Sequence, residues 1–226
     1  MNSLVNLDEY TLPRHPAKYT DELLPVFVTM LQGSSYILDP FGGTGKIFEI
    51  EPLLRGAKIE SVEIEPEWAA YHPRTTLGSA LALPWPDDTF DAICTSPTYG
   101  NRMADHHDAT DDSRRNTYTH AIGHKLHKQN SGQLQWGKAY KDFHERAWIE
   151  ARRVLVHQSK FVLNIKDHIR NGKRQHVTDW HIKCLKLLGF TLIWHHRVDC
   201  PGLRHGANSD ARIDYESVIL FELKKG

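Results

Sequence analysis

The chain has 226 residues, with 28 Lys and Arg balanced by 28 Asp and Glu for a formal net charge of zero. A content of 40% hydrophobic and 10% aromatic residues excludes wholesale disorder, and no run of roughly 18 apolar residues is present to cross a membrane. The zero is uneven: residues 1–100 carry 6 Lys/Arg and 14 Asp/Glu, a net of −8, whereas residues 101–226 carry 22 and 14, a net of +8, with 13 of the 15 histidines.

The length suits one ordinary domain with room for a sizeable core. The start, Met1-Asn2-Ser3-Leu4-Val5-Asn6-Leu7-Asp8-Glu9, lacks the basic stretch and apolar run of a secretory signal. Cys94, Cys184 and Cys200 are odd in number and widely spaced, so neither a disulfide framework nor a paired-cysteine zinc site is expected. These features predict a cytoplasmic chain.

Short apolar runs alternate with amphipathic stretches, the pattern of a parallel α/β sheet. Tyr36 to Asp39 reads as a buried strand entering a glycine-rich turn, and residues 44–55 as a helix, with Pro52 as a possible break. Ile59 to Glu65 is a second strand, Pro66 to Tyr71 a short helix, 75–78 a third strand and Phe90 to Thr95 a fourth. Residues 101–137 show no apolar period, which marks a long substrate-side insertion. Lys138 to Leu155 is an amphipathic helix, Lys160 to Lys166 a fifth strand, and Val177 to Leu188 a helix stopped by Gly189. Phe190–Val198 and Glu216–Leu223 complete the pattern as an antiparallel pair at the sheet edge.

Two strand ends carry chemistry. Asp39-Pro40-Phe41-Gly42-Gly43-Thr44-Gly45 puts three glycines in four positions between a strand and the next element, so backbone can approach a ligand closely. The spacing is neither Gly-x-Gly-x-x-Gly nor a P-loop, and argues against a nucleotide phosphate. About twenty residues on, Val62-Glu63-Ile64-Glu65 places a carboxylate where a ribose diol is gripped in such folds. The fourth strand ends in Thr95-Ser96-Pro97-Thr98-Tyr99-Gly100, at the carboxyl edge where open α/β sheets bind ligands.

On these residues the chain resembles the S-adenosylmethionine-dependent amino-methyltransferases of DNA, which modify cytosine N4 or adenine N6. The resemblance implies a Rossmann-like class I methyltransferase fold. Its sheet would be mostly parallel and seven-stranded, with one antiparallel edge strand and helices on both faces. It also implies a single catalytic domain, with no separate target-recognition domain. His15-Pro16-Ala17-Lys18-Tyr19-Thr20 matches the family's N-terminal segment over the methionine end of the cofactor, which assigns His15, Lys18 and Tyr19 to cofactor binding. Asp39, Phe41, Gly42, Gly43, Thr44 and Gly45 match the cofactor loop, and Glu63, with Ile64 beside it, the ribose-binding acid. Gly78-Ser79-Ala80 stands where the family often has Gly-Asp-Ala, so Ser79 and Ala80 fall near the adenine, with a serine in place of the aspartate.

Ser96, Pro97 and Tyr99 match the catalytic tetrapeptide, with Thr98 in place of its second proline. The chemistry explains the residue types. An exocyclic base amine is a poor nucleophile because its lone pair is delocalised. Acceptors at the Ser96 hydroxyl and the Pro97 carbonyl favour a pyramidal nitrogen aimed at the sulfonium methyl, and Tyr99 stacks on the exposed base. A serine at the first position favours cytosine N4 over adenine N6.

The rival enzyme is an RNA guanine-N2 methyltransferase, whose string Ser-Pro-Pro-Tyr-Gly-Asn-Arg differs from Ser96–Arg102 at one residue. A second alternative is a cofactor-fold binding protein weakened in turnover by Thr98 and Ser79. A nucleic-acid partner, DNA before RNA, follows from the basic half. Asn101, Arg102, Arg114 and Arg115 follow the tetrapeptide as substrate contacts, and a second cluster from Arg152 to Arg174 is placed as a backbone-contacting rim. Arg204 and His205 either face the cleft or cap a hairpin. Asp105-His106-His107-Asp108 and His120, His124 and His127 have zinc-compatible spacings without matched cysteines. No metal is expected, since methyl transfer needs none.

Overall fold

The structure is a computed structural model and describes residues 15–17, 20–100, 117–200 and 211–225. The chain forms α1 (Leu24–Leu31), β1 (Tyr36–Asp39), a 3-10 segment (Lys46–Leu53), β2 (Lys58–Glu63), the one-turn α2 (Pro66–Ala69), β3 (Thr75–Leu77) and β4 (Phe90–Thr95). Then come α3 (Tyr118–Ile122), a 3-10 turn (Ser131–Gln133), α4 (Lys138–Val154) and β5 (Leu155–Ile165). A small hairpin of β6 (His168–Arg170) and β7 (Lys173–Gln175) precedes α5 (Val177–Leu187), β8 (Phe190–Asp199) and β9 (Tyr215–Leu223).

Seven strands form one sheet in the order β3-β2-β1-β4-β5-β9-β8. β1 to β5 pair in parallel, and β9 runs antiparallel to both β5 and β8. This is the expected α/β architecture, with one refinement: the antiparallel strand lies next to the edge, and β8 is the edge strand.

Strand alternation divides the apolar residues between two faces. Leu38, Ile93, Phe161, Leu163 and Ile219 pack under α4 and α5 through Trp148, Ala151, Val177 and Leu185. Their neighbours Ile37, Ala92, Cys94, Val162 and Val218 point the other way, against Phe27 and Leu31 of α1 and Ile47 and Ile50 of the 3-10 segment. Helical elements therefore cover both faces, and Cys94 is core.

Four local expectations are corrected. The helix read over 44–55 is a 3-10 segment, because Gly45 enters it at φ +80 and Pro52 lies inside it without an N–H to donate. The short helix after Pro66 is a single turn ending at Ala69. The fifth strand starts at Leu155 rather than Lys160. Its first half carries the polar His157-Gln158-Ser159, Gln158 sits at φ +58, and the register shifts opposite it between Phe90 and Ala92. Finally, the part of 101–137 that is described, from Thr117 on, is folded. Tyr118, Ile122 and Leu126 form a small core with Trp68, and Glu65 pins the segment by accepting hydrogen bonds from the His127 N–H at 2.8 Å and the Asn130 side-chain amide at 2.7 Å.

Candidate functional site

The glycine loop after β1 is shaped first by packing. Gly42 donates its N–H to the Val62 carbonyl at 2.8 Å, and a Cβ there would stand 2.6 Å from Ser61 Oγ. No side chain fits between the loop and β2. Gly43, at φ +51, faces the His15 imidazole, whose Nε2 would lie 3.5 Å from a Cβ placed there. His15 in turn meets Trp68 edge-on at a centroid distance of 4.4 Å. The predicted N-terminal contact thus lies over the loop. Thr44 belongs to the turn between Gly43 and Gly45.

Glu63 ends β2 directly beside this loop. One carboxylate oxygen accepts the Gly43 N–H at 2.9 Å and the other the N–H groups of Ile64 and Glu65 at 2.8 and 2.9 Å. Burial pushes its carboxyl up to about 7, against the pull of those three donors. Ser79 spends its hydroxyl on the turn after β3, accepting the Leu81 N–H at 3.2 Å, with the buried Ala80 beside it. Asp39, fully buried, accepts the Phe41 N–H at 3.0 Å and the Thr95 hydroxyl at 2.7 Å. That last bond couples the glycine loop to the end of β4, so cradle and tetrapeptide form one site.

The tetrapeptide is held from outside. The Thr98 hydroxyl reaches Ser131 Oγ at 3.0 Å, its carbonyl accepts the Tyr140 hydroxyl at 2.7 Å, and the Gly100 carbonyl accepts the Trp136 N–H at 2.8 Å. Behind Tyr140 lies a buried chain. The Trp148 indole donates to His181 Nδ1 at 3.0 Å, which leaves the proton on Nε2 to meet the Tyr140 hydroxyl at 3.0 Å. Where the resembled family uses a second proline for rigidity, this chain ties Thr98 to the 131–140 segment.

At the front of the tetrapeptide, Ser96 Oγ lies 2.9 Å from the Tyr99 hydroxyl. That hydroxyl donates to Glu216 of β9 at 2.9 Å and accepts from the Asn164 amide of β5 at 2.9 Å. Burial first, and the Glu216 charge second, hold the Tyr99 phenol well above its ordinary range. Pro97 is buried. Sequence reasoning missed Asn164 and Glu216. The available signal was Asn164 itself, a polar residue inside the apolar run Phe161 to Ile165, which calls for a partner.

Lys18, Tyr19, Asn101, Arg102, Arg114, Arg115, Arg204 and His205 lie outside the described residues, as do Asp105 to Asp108. His124 is engaged with Glu67 at 2.7 Å. Much of the second basic cluster is tied into the fold rather than set out as a rim, although its last member, Arg174, lines a groove while paired with Asp167 at 2.7 Å. Arg153 is bound to Glu150 and Asp87, Arg152 to the Leu188 carbonyl, Lys160 to the Gln32 carbonyl and Lys166 to the Cys200 carbonyl. These long side chains tie neighbouring elements of the fold together. A basic and aromatic surface does exist beside the tetrapeptide: Trp136, Trp180, Lys141, Lys183, Arg174 and His176, with Asp179, line a shallow groove of about 540 Å³. Lys141 lies over the Trp136 ring at 4.7 Å, and neither Lys141 nor Lys183 has a carboxylate partner among the described residues.

No protein-family model matches the sequence, and no curated protein is significantly similar to it. Solved structures do match in shape. An S-adenosylmethionine-dependent methyltransferase from Methanosarcina mazei superposes with a TM-score of 0.55 at 12% identity, over 89% of this chain and 98% of that one. The 1,6-didemethyltoxoflavin-N1-methyltransferase of Burkholderia thailandensis, solved with 1,6-didemethyltoxoflavin and S-adenosylhomocysteine, gives 0.51 at 13%, over 91% and 79%. The [4+2]-cyclase SpnF gives 0.54 at 15%, over 91% and 82%, so one fold spans different reactions. These likenesses establish the architecture: the chain has the Rossmann-like fold of S-adenosylmethionine-dependent methyltransferases.

Proposed function

We propose that the protein is an S-adenosylmethionine-dependent methyltransferase acting on an exocyclic amino group of a DNA base, with cytosine N4 before adenine N6. The observation that carries this reading is the end of β4. There Ser96-Pro97-Thr98-Tyr99 leaves the strand beside the glycine loop, and the Ser96 hydroxyl faces a hydrogen-bonded cluster instead of a hydrophobic wall. The groove that follows Gly100 supports a nucleic-acid substrate, because it combines two indoles with Lys141 and Lys183, which have no carboxylate partner among the described residues; Arg174 and His176 beside them are paired with Asp167 and Asp179.

The residues fit the cofactor. Gly43 carries no side chain where the loop faces His15, and Glu63 sits at the strand end beside it with a carboxylate suited to ribose hydroxyls. When bound, S-adenosylmethionine supplies an electrophilic methyl group. The protein's part is to hold it beside β4, to orient the amine on Ser96 and the Pro97 carbonyl, and to keep that backbone still through Thr98 and Tyr140.

Mass spectrometry of nucleosides after incubation with labelled cofactor is expected to show N4-methylcytosine. Label confined to N2-methylguanine in RNA replaces the DNA reading with the guanine-N2 one. Ser96→Ala is expected to lower the rate about 100-fold with nucleic-acid binding retained. A variant as active as the wild type identifies a binding protein whose activity does not use this site.

Glu63 gives a pH test of the cradle. Its neutral form is a poorer acceptor for ribose hydroxyls, and its carboxyl is raised to about 7. Calorimetric affinity for S-adenosylmethionine should therefore strengthen as pH rises through that value. Glu63→Gln should bind weakly with no such dependence. Wild-type affinity that is flat from pH 6 to 8 counts against Glu63 as the ribose contact.

A further inference from the structure

Four polar groups meet at the end of β4, and their proton positions are determined by one of them. Glu216 Oε2 accepts the Tyr99 hydroxyl at 2.9 Å and the Asn164 amide at 2.7 Å. Since the only phenolic proton of Tyr99 goes to Glu216, the 2.9 Å contact between Ser96 and Tyr99 must carry the serine's proton. Ser96 Oγ then has its proton turned inward and a lone pair left over. It receives only a long contact from the Asn164 amide, at 3.3 Å.

The Asn164 orientation follows from the same anion. Turned over, its amide oxygen would stand 2.7 Å from the carboxylate, so the nitrogen faces Glu216 and the buried oxygen goes without a hydrogen-bond partner among the described residues. An unsatisfied buried acceptor is destabilising. The cluster tolerates that cost to keep Glu216, Tyr99 and Ser96 in line.

We propose that Glu216 is the terminal proton acceptor of a relay that runs from Ser96 through Tyr99, and that it makes the Ser96 hydroxyl an acceptor for the substrate's amino N–H. The inference rests on the amine-methylating reading of the site. As the amine nitrogen gives its lone pair to the methyl carbon, the carbon–sulfur bond breaks with its electron pair left on sulfur, and the nitrogen must lose one proton. That proton passes to Ser96 Oγ, the serine's own proton to Tyr99 Oη, and the phenolic proton to Glu216 Oε2. Charge balances: the sulfonium becomes a neutral thioether and the carboxylate a neutral acid. A carboxylate is thus supplied from β9, since the first position of the tetrapeptide is a serine and carries none.

Glu216→Gln keeps the side chain's size and removes the charge. Its kcat is expected to fall about 100-fold, with thermal midpoint and calorimetric cofactor affinity unchanged. Tyr99→Phe should show a loss of the same size, and the double variant no further loss, because one chain is broken in either case. A readout without cofactor is the ultraviolet titration of tyrosinate. With the Glu216 charge gone, one phenol should ionise at lower pH than in the wild type, and that phenol should be missing once Tyr99 is also Phe. The other groups facing this pair are Tyr118 on the Tyr99 side, and Cys200 and Lys166 on the Glu216 side; all remain in every variant. Wild-type turnover in Glu216→Gln, or losses that multiply in the double variant, overturn the relay while leaving the amine reading in place. A wild-type protein that labels no amino group overturns both.

Discussion

Acidification below about pH 6 is expected to destabilise the protein steeply, because two buried histidines and a half-buried third are held neutral. His144 donates Nδ1–H to the Tyr140 carbonyl at 2.8 Å, and its buried Nε2 has no partner. Burial holds its imidazole down at about 3. His168 is pushed down to about 4 by its partial burial, and neither of its ring nitrogens has a hydrogen-bond partner among the described residues. His181, fully buried, is likewise lowered well below its ordinary value by burial and must keep Nδ1 unprotonated to accept from Trp148.

In the unfolded chain each of these takes up a proton near pH 6.5. Between that value and their folded values the unfolded state binds more protons, so stability falls as pH falls. Glu63 works in the opposite sense. Its folded value of about 7 exceeds the unfolded one, so between about pH 7 and 4.5 it binds a proton in the folded state and adds stability toward acid. Three against one leaves a net of about two protons, roughly 2.7 kcal/mol per pH unit. For a domain with the usual 5–15 kcal/mol of stability, a drop of one to two units is decisive. The thermal midpoint should fall sharply from pH 6.5 to 5, and His144→Phe should reduce the slope by about one proton. A midpoint flat over that range would falsify the neutral assignment.

The second large effect is expected at Gly42. Valine there places a Cβ 2.6 Å from Ser61 Oγ, 2.7 Å from Ser61 Cβ and 3.3 Å from the Val62 carbonyl oxygen, which already accepts the Gly42 N–H. Two of the three atoms belong to a buried serine whose hydroxyl is tied to Thr75 at 2.8 Å, so the strand cannot yield cheaply. The loop must lift from β2, which costs about 2–3 kcal/mol and separates Gly43 from Glu63. Gly42→Val should lose calorimetric affinity for S-adenosylmethionine as well as thermal stability. Gly56→Ala is the control for a generic glycine change, since nothing lies within 4 Å of a Cβ there, although its φ of +74 adds some strain. Equal cofactor affinity in the two variants would show that the loop does not hold the ligand.

The parts of this molecule that were legible in the sequence are those set by short-range pattern. β1 and β4 announce themselves as apolar runs followed at once or within two residues by proline, and α4 by the helical spacing of Ala147, Ala151 and Val154, although its buried stripe also takes in Tyr140 and Trp148. The glycine loop and Glu63 were readable because spacing along one strand–turn–strand unit determines where they meet. What was not readable depends on distance in the chain. Residues 117–137 have no period of their own because they fold onto fixed points elsewhere: Glu65, the Thr98 hydroxyl and the Gly100 carbonyl. The histidines looked like a basic, substrate-facing population, yet His144 and His181 are interior groups of α4 and α5 that cannot carry charge. Arg153 looked like a phosphate contact and instead clasps two carboxylates and the carbonyls of Leu83 and Trp85.

The reversed direction of β9 has a temporal consequence. A parallel strand offers the ligand edge only its final residues, whereas a reversed one offers its first, which is how Glu216, paired with Val198 and one residue before the Ser217–Ile165 pair, arrives there. The glycine loop too is finished late, because Phe41 packs on Phe143, His144 and Trp148 of α4 and Asp39 takes the Thr95 hydroxyl. The acid waits for the ninth strand to slot between β5 and β8. Loop and proposed relay therefore both wait for chain made after Thr95, the relay longest, since its acid arrives only with the last strand.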